Sequence, residues 1–134
     1  MSVYFEEMAG SGAGKAGQLR LFTREVYVAI EDRRPISAVY HELPRLFCPH
    51  RLGRNSKGQL RVLCYQYGGE SETGLGPLGS SDNWRCIALE GLTAVERLSG
   101  PWRTAPNHSR PSSCIVDPDI DADDYPERDP QQGH

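Results

Sequence analysis

Apolar residues recur at helical spacing in one part of the chain. Leu19, Phe22, Val26 and Ala29 or Ile30 follow one another at three and four residues, while Arg20, Arg24, Glu31 and Asp32 fall off that stripe. The spacing predicts an amphipathic helix from Leu19 to about Arg33, able to pack on a sheet. Pro35 cannot continue it, and Arg34 before the proline is pushed towards extended backbone. From there the period changes to two. Ile36–His41 alternates, with Ile36, Ala38 and Tyr40 on one face and Ser37, Val39 and His41 on the other. Leu43-Pro44 reads as a turn, and Arg45–Leu52 as a second strand whose Pro49 marks an edge or a bulge.

Gln59–Tyr67 is the clearest strand. Leu60, Val62 and Cys64 fall on one face, and Arg61, Leu63, Tyr65 and Tyr67 on the other, between the turn Asn55-Ser56-Lys57-Gly58 and Gly68-Gly69. The Arg61 face would offer charge and aromatic surface to a flat or phosphate-bearing ligand. Glu70–Asn83, rich in Gly, Ser and Glu, predicts a long mobile hairpin loop. Trp84–Leu89 and Leu92–Leu98 supply two more strands around a corner at Glu90-Gly91.

One helix followed by five short strands predicts a mainly β fold: a small, strongly bent antiparallel sheet of the SH3-like, Sm-like or OB-like partial-barrel kind. The expected divisions are a flexible leader over 1–18, a helix-plus-barrel domain over 19–105 and a disordered acidic tail over 106–134. AGSGAGKAG in the leader lacks the spacing of a phosphate loop. The tail carries Asp117, Asp119, Asp121, Asp123 and Asp124 among prolines and has little apolar surface to bury. It is expected to cover a basic groove in competition with nucleic acid.

Charge sharpens this division. The net charge is -3, yet residues 20–110 hold 13 Lys and Arg against 9 Asp and Glu, and all but Lys57 of those cations are arginine. Arginine forks onto phosphate and stacks on bases, so the body leans weakly towards an anionic ligand. No apolar run could span a membrane or act as an export signal, which predicts a cytoplasmic protein. Its four cysteines, Cys48, Cys64, Cys86 and Cys114, are then expected to be reduced. No pair of Cys or His has metal-ligand spacing, His108 included, and no arrangement supplies a nucleophile with a base and an oxyanion hole, so neither a metal, a cofactor nor an enzymatic activity is expected.

The order of blocks AIEDRRPI, SAVYH, RLFCPHRLG, GQLRVLCYQY and RCIALEGLTAVE resembles the WYL domain family over roughly Val26 to Val95. Arg85, Ile87, Leu89, Glu90 and Leu92 fall in register with that family's R-x-F-x-L-D-R-I block, whereas Gly91 stands at its second arginine and Leu60-Arg61-Val62 at its Trp-Tyr-Leu. The resemblance implies a barrel that senses a ligand, in several members single-stranded DNA or another nucleic acid, and controls a linked DNA-binding or effector part. No helix-turn-helix is expected in this chain, so a sensing role would run through a protein partner carrying such a part, or through a homo-oligomer. Arg85 and Tyr40 match the family pattern. With His50, Arg51, Ser37, His41 and Arg61 they form the expected site for a nucleic acid, a nucleotide-like or another phosphate-bearing ligand, used in regulation. The alternative expectation is an SH3-like module that holds a protein partner in the same groove.

Overall fold

The computed structural model describes residues 11–72, 74–106 and 114–124. Helix α1 spans Ser11–Asp32, and six strands follow: β1 Ile36–Tyr40, β2 Leu43–Arg54, β3 Leu60–Gly69, β4 Trp84–Ala88, β5 Leu92–Arg97 and β6 Asp117–Asp121. The helix therefore starts eight residues ahead of its expected first residue, inside the presumed leader. Its apolar stripe is as read: Val26, Ala29 and Ile30 are fully buried, with Leu19 and Phe22 against the same core. Arg33 ends it in the left-handed region at φ 52°, with Arg34 N–H donating to Ala29 O at 2.8 Å and Arg33 N–H to Ile30 O at 3.2 Å. These bonds satisfy carbonyls that the last helical turn would leave open, and Pro35 fixes the exit.

The antiparallel sheet runs β4-β3-β2-β1-β5, with β6 added to β2. Its two outer strands, β4 and β5, are joined by only Leu89–Gly91, so the sheet must curl until its edges approach. From β1, Tyr40 Oη reaches β4, accepting the N–H of Ala88 at 3.1 Å across the inside of the curl. The sheet stays open, since β4 and β5 do not pair. Inside lie Ile36, Ala38, Phe47, Leu52, Val62, Cys64, Ile87 and Leu92, with α1 packed against them. Leu60, Val62 and Cys64 thus face the core together.

Three local expectations change. The first hairpin turns at His41–Glu42, with φ 50° and 69°, and Leu43 and Pro44 already belong to β2. Two positive φ values suit a two-residue hairpin loop, because that turn matches the twist of the strands. Pro49 introduces a bulge rather than an edge: Pro49 faces Cys64 and Arg51 faces Leu63, leaving His50 as the extra residue in a central strand. The long loop after β3 is pinned, since Tyr65 Oη donates to Ser80 O at 2.9 Å and accepts from Gly79 N–H at 2.7 Å, while Asn83 bonds Gly76 and Pro77.

The larger correction concerns the tail. Residues 114–124 are ordered: β6 pairs with Arg51–Arg54, Ile120 and Ala122 enter the main core, and Ile115 packs with Leu63 and Trp84. Counting acids hid the alternation that buries Ile120 between exposed Asp119 and half-buried Asp121. Of the expected leader and tail, residues 1–10, 107–113, His108 among them, and 125–134 lie outside the described residues. Gly53 makes the pairing possible, because a Cβ there would sit 2.6 Å from Pro118 Cα and 2.8 Å from Ile115 Cγ2. Gly53→Ala is expected to cost about 1–3 kcal/mol through this overpacking, read as a lower urea midpoint. An unchanged midpoint would mean that β6 does not seat on β2.

A disulfide between Cys86 and Cys114 fastens the same segment to β4, with Cα atoms 5.8 Å apart. The expectation of four reduced thiols fails at this pair. A persisting disulfide belongs to oxidising surroundings, which weighs against the cytoplasmic expectation. Cys48 and Cys64 remain thiols. Among the described residues no helix is long and apolar enough to cross a membrane.

Candidate anion site

The curl leaves a polar row at one end of its interior. Strand alternation puts Arg45 on the face of Phe47, Phe47 faces Gln66 across to β3, and Gln66 shares its face with Cys64, which pairs with Arg85 on β4. Arg45, Gln66 and Arg85 therefore share one face of three neighbouring strands, staggered along them at the mouth of the curl, and the two guanidinium groups come near enough for each to feel the other's charge. Tyr40 joins them from β1, its ring 5.1 Å beneath the Arg45 guanidinium.

Arg45 is the unusual member. It is 5% exposed, its Nη2 donates to Tyr40 O at 3.3 Å, and its Nε has no hydrogen-bond partner. Among the described residues the ion pairs are His41–Glu72, Arg51–Asp121, Arg61–Glu90 and Arg97–Glu25, and Arg45 belongs to none. A guanidinium cannot shed its proton at any ordinary pH, so the fold buries a full positive charge against one neutral carbonyl and one ring face. Gln66 is fully buried beside it. Its Nε2 donates to Gly68 O and Glu70 O at 3.0 and 2.8 Å, which fixes the amide orientation and leaves Oε1 without a donor.

Arg85 is better supplied. It donates to Asp82 O at 2.7 Å, Gly74 O at 2.9 Å, Trp84 O at 3.1 Å and Ser71 Oγ at 3.4 Å, and among the described residues it too has no carboxylate in an ion pair. Burial, and after it the positive field of Arg45, lower its pKa, with Asp82 opposing. Two like charges held near one another without counter-ions form an electropositive end to the interior. An anion placed there gains from both.

The expected site is divided by the fold. Tyr40, His41 and Arg85 come to this mouth: the His41 ring stacks on Tyr40 with centroids 3.9 Å apart, and its Nδ1 lies 3.8 Å from Glu72. Gly91 permits that stack, since a Cβ on it would reach within 2.6 Å of the Tyr40 ring. Ser37 lines a cleft of about 400 Å³ that Arg45 also lines, together with Gly69, Glu70, Val95 and Glu96. His50 does not line a groove. It is 2% exposed, with Nδ1 2.8 Å from Cys48 O, Nε2 3.0 Å from Thr104 Oγ1, and its ring between Trp84 and Trp102. The bulge at His50 rotates it inwards instead of sideways. Arg51 is held 2.7 Å from Asp121, with both side chains largely buried. Arg61 meets Glu90 at 3.6 Å and bonds Gln59 and Leu60 O.

The aromatic face read on β3 is covered as well. Tyr65 is fully buried, and Arg103 lies over the Tyr67 ring at 4.2 Å, because 101–106 crosses this face. Burial pushes the Cys48 thiol up to about 11 and that of Cys64 well above its ordinary value, so neither is a ready nucleophile at neutral pH. Arg45 and Gln66, the two members missed in sequence, carried one signal. Gln66 continues the series Leu60, Val62, Cys64, which puts a polar residue at a core position.

No family model matches the chain, and no curated protein and no solved structure matches it.

Proposed function

We propose that this chain is a ligand-sensing regulatory barrel of the WYL kind that receives a small phosphate-bearing ligand on Arg45 and Arg85. The observation that supports the reading most is the buried Arg45, whose charge meets no carboxylate and whose Nε meets no acceptor among the described residues. A group with that much unspent bonding capacity is a poor structural element and a good anion receptor. A compact ligand fits better than a long strand of nucleic acid, since Arg51, Arg61 and Arg97, the arginines available to track a backbone, already face Asp121, Glu90 and Glu25. Signalling would pass to a protein partner with a DNA-binding or effector part.

Titrating the protein with a 5′-mononucleotide, its nucleoside and single-stranded DNA at several salt concentrations tests this. The reading expects the mononucleotide to bind, the nucleoside to bind at least tenfold more weakly, and Arg85→Gln to weaken the mononucleotide by a similar factor. Equal affinity for nucleotide and nucleoside would remove it. DNA binding whose log-log salt slope exceeds about two phosphates' worth, near -0.7 each, would favour a strand along the surface instead.

A second reading has its own observation. The cleft that Ser37 shares with Arg45 also has an apolar wall of Val39, Pro44, Leu46 and Ala94, a surface suited to an apolar segment of a protein partner in the manner of SH3-like modules.

A further inference from the structure

The mouth contains a feature that an anion receptor alone does not need: a buried acceptor beside the buried donor. Arg45 Nε–H has no acceptor and Gln66 Oε1 has no donor. The two residues lie on one face of adjacent strands, and the Gly69–Glu70 backbone that Gln66 holds lines the same cleft as Arg45. Gln66 Nε2 donates to Glu70 O, while Glu70 N–H donates to the carbonyl of Pro44, the neighbour of Arg45. The Gln66 amide cannot flip to relieve its oxygen, because its nitrogen already serves two carbonyls. Buried polar atoms are rarely left in this state, and an orphaned pair of opposite sense asks for one group that accepts and donates at once.

We propose that this site takes a phosphate that still carries a proton, a phosphomonoester or free phosphate, and rejects sulfate and phosphodiesters. Arg45 Nε–H donates to an anionic phosphate oxygen, and the P–O–H group of the same phosphate donates to Gln66 Oε1. Sulfate at neutral pH and a phosphodiester both lack that hydrogen, so each leaves Gln66 Oε1 facing a lone pair. A phosphomonoester loses its second proton near pH 6, so the protonated form is plentiful at and below that pH. Arg85 supplies the second cation. The phosphate must displace its contacts with Gly74 O and Ser71 Oγ, which are neutral acceptors that a charged oxygen outcompetes. The proposal rests on the reading of this mouth as an anion receptor and adds which anions it admits.

The test compares methyl phosphate with dimethyl phosphate at pH 5, where both are monoanions and only the first has an O–H, with sulfate alongside, by calorimetry on the whole chain. Methyl phosphate is expected to bind at least tenfold more tightly than either, the effect of one buried hydrogen bond against one unmet acceptor. Gln66→Met should bind methyl phosphate and dimethyl phosphate within about twofold of one another. Equal affinities in the unaltered protein, or a preference that survives in Gln66→Met, would overturn the proposal while leaving the anion receptor standing. No binding of any anion would overturn the receptor itself. Should Gln66→Met fail to fold, the ester pair on the unaltered protein decides alone.

Discussion

Reduction of the Cys86–Cys114 disulfide is expected to lower the stability of the fold by about 3–4 kcal/mol, with a fall in Tm of about 10 °C or more. The two cysteines are 28 residues apart, and a closed loop of that length removes conformations from the unfolded chain on this scale. The bond also decides where the C-terminal segment sits. Cys114 leads directly into Ile115, which packs on Leu63 and Trp84, and into β6, which pairs with β2 and brings Asp121 to Arg51. Cys86 is exposed, so a small reductant can reach the bond. Alkylation checks the pairing: denatured without reductant, the chain should take up label at Cys48 and Cys64 only, and after reduction at all four positions. Four labelled positions without reductant would show that the disulfide is absent, and an unchanged melting curve on reduction would show that it does not hold the fold. The remaining thiols add an alkaline limit. Cys48 has a raised pKa when folded, so its contribution is complete below about pH 9 and fades as pH climbs towards about 11.

Arg45→Met is expected to make the unliganded protein more stable, by about 1–3 kcal/mol, and to abolish anion binding. The substitution gives up the 3.3 Å bond to Tyr40 O and the contact with the Tyr40 ring, together about 2 kcal/mol at most. Against that stands the desolvation of a guanidinium that is 5% exposed and has no counter-ion among the described residues, a cost of several kcal/mol. The second magnitude is larger, so replacement by an unbranched apolar side chain of similar length relieves more than it removes. A residue that costs stability in the free protein has a reason to be there only if something binds it.

How far the sequence disclosed this molecule depends on which interaction governed each part. Periodicity located α1 and the first five strands because burial of one face controls them; Val26, Ala29 and Ile30 in the helix and Val62 and Cys64 in β3 are where spacing puts them. Turn chemistry was legible at Gly58, whose φ of 77° is the conformation its absent side chain allows, and misleading at Leu43-Pro44, because the true turn uses His41 and Glu42. The tail was misread because pairing to β2 and a covalent link to β4 are long-range facts that local composition does not express. The site was partly legible. Tyr40 and Arg85 belong to the mouth, but His50, Arg51 and Arg61 look like ligand residues in sequence only because their partners, Thr104, Asp121 and Glu90, are distant along the chain. Arg45 was hidden by the opposite effect, since nothing nearby in sequence says that a strand arginine will be buried with no acid to meet it.

The most direct test is a pair of melting curves, for the unaltered chain and for Arg45→Met, each with and without methyl phosphate at pH 5. The account predicts that the variant melts higher than the unaltered protein when both are free, and that methyl phosphate raises only the unaltered protein, by up to about 2.7 kcal/mol at a hundredfold excess over Kd. A variant that melts lower and still responds to methyl phosphate would contradict it, because Arg45 would then be a structural residue and the anion, if bound, would be elsewhere.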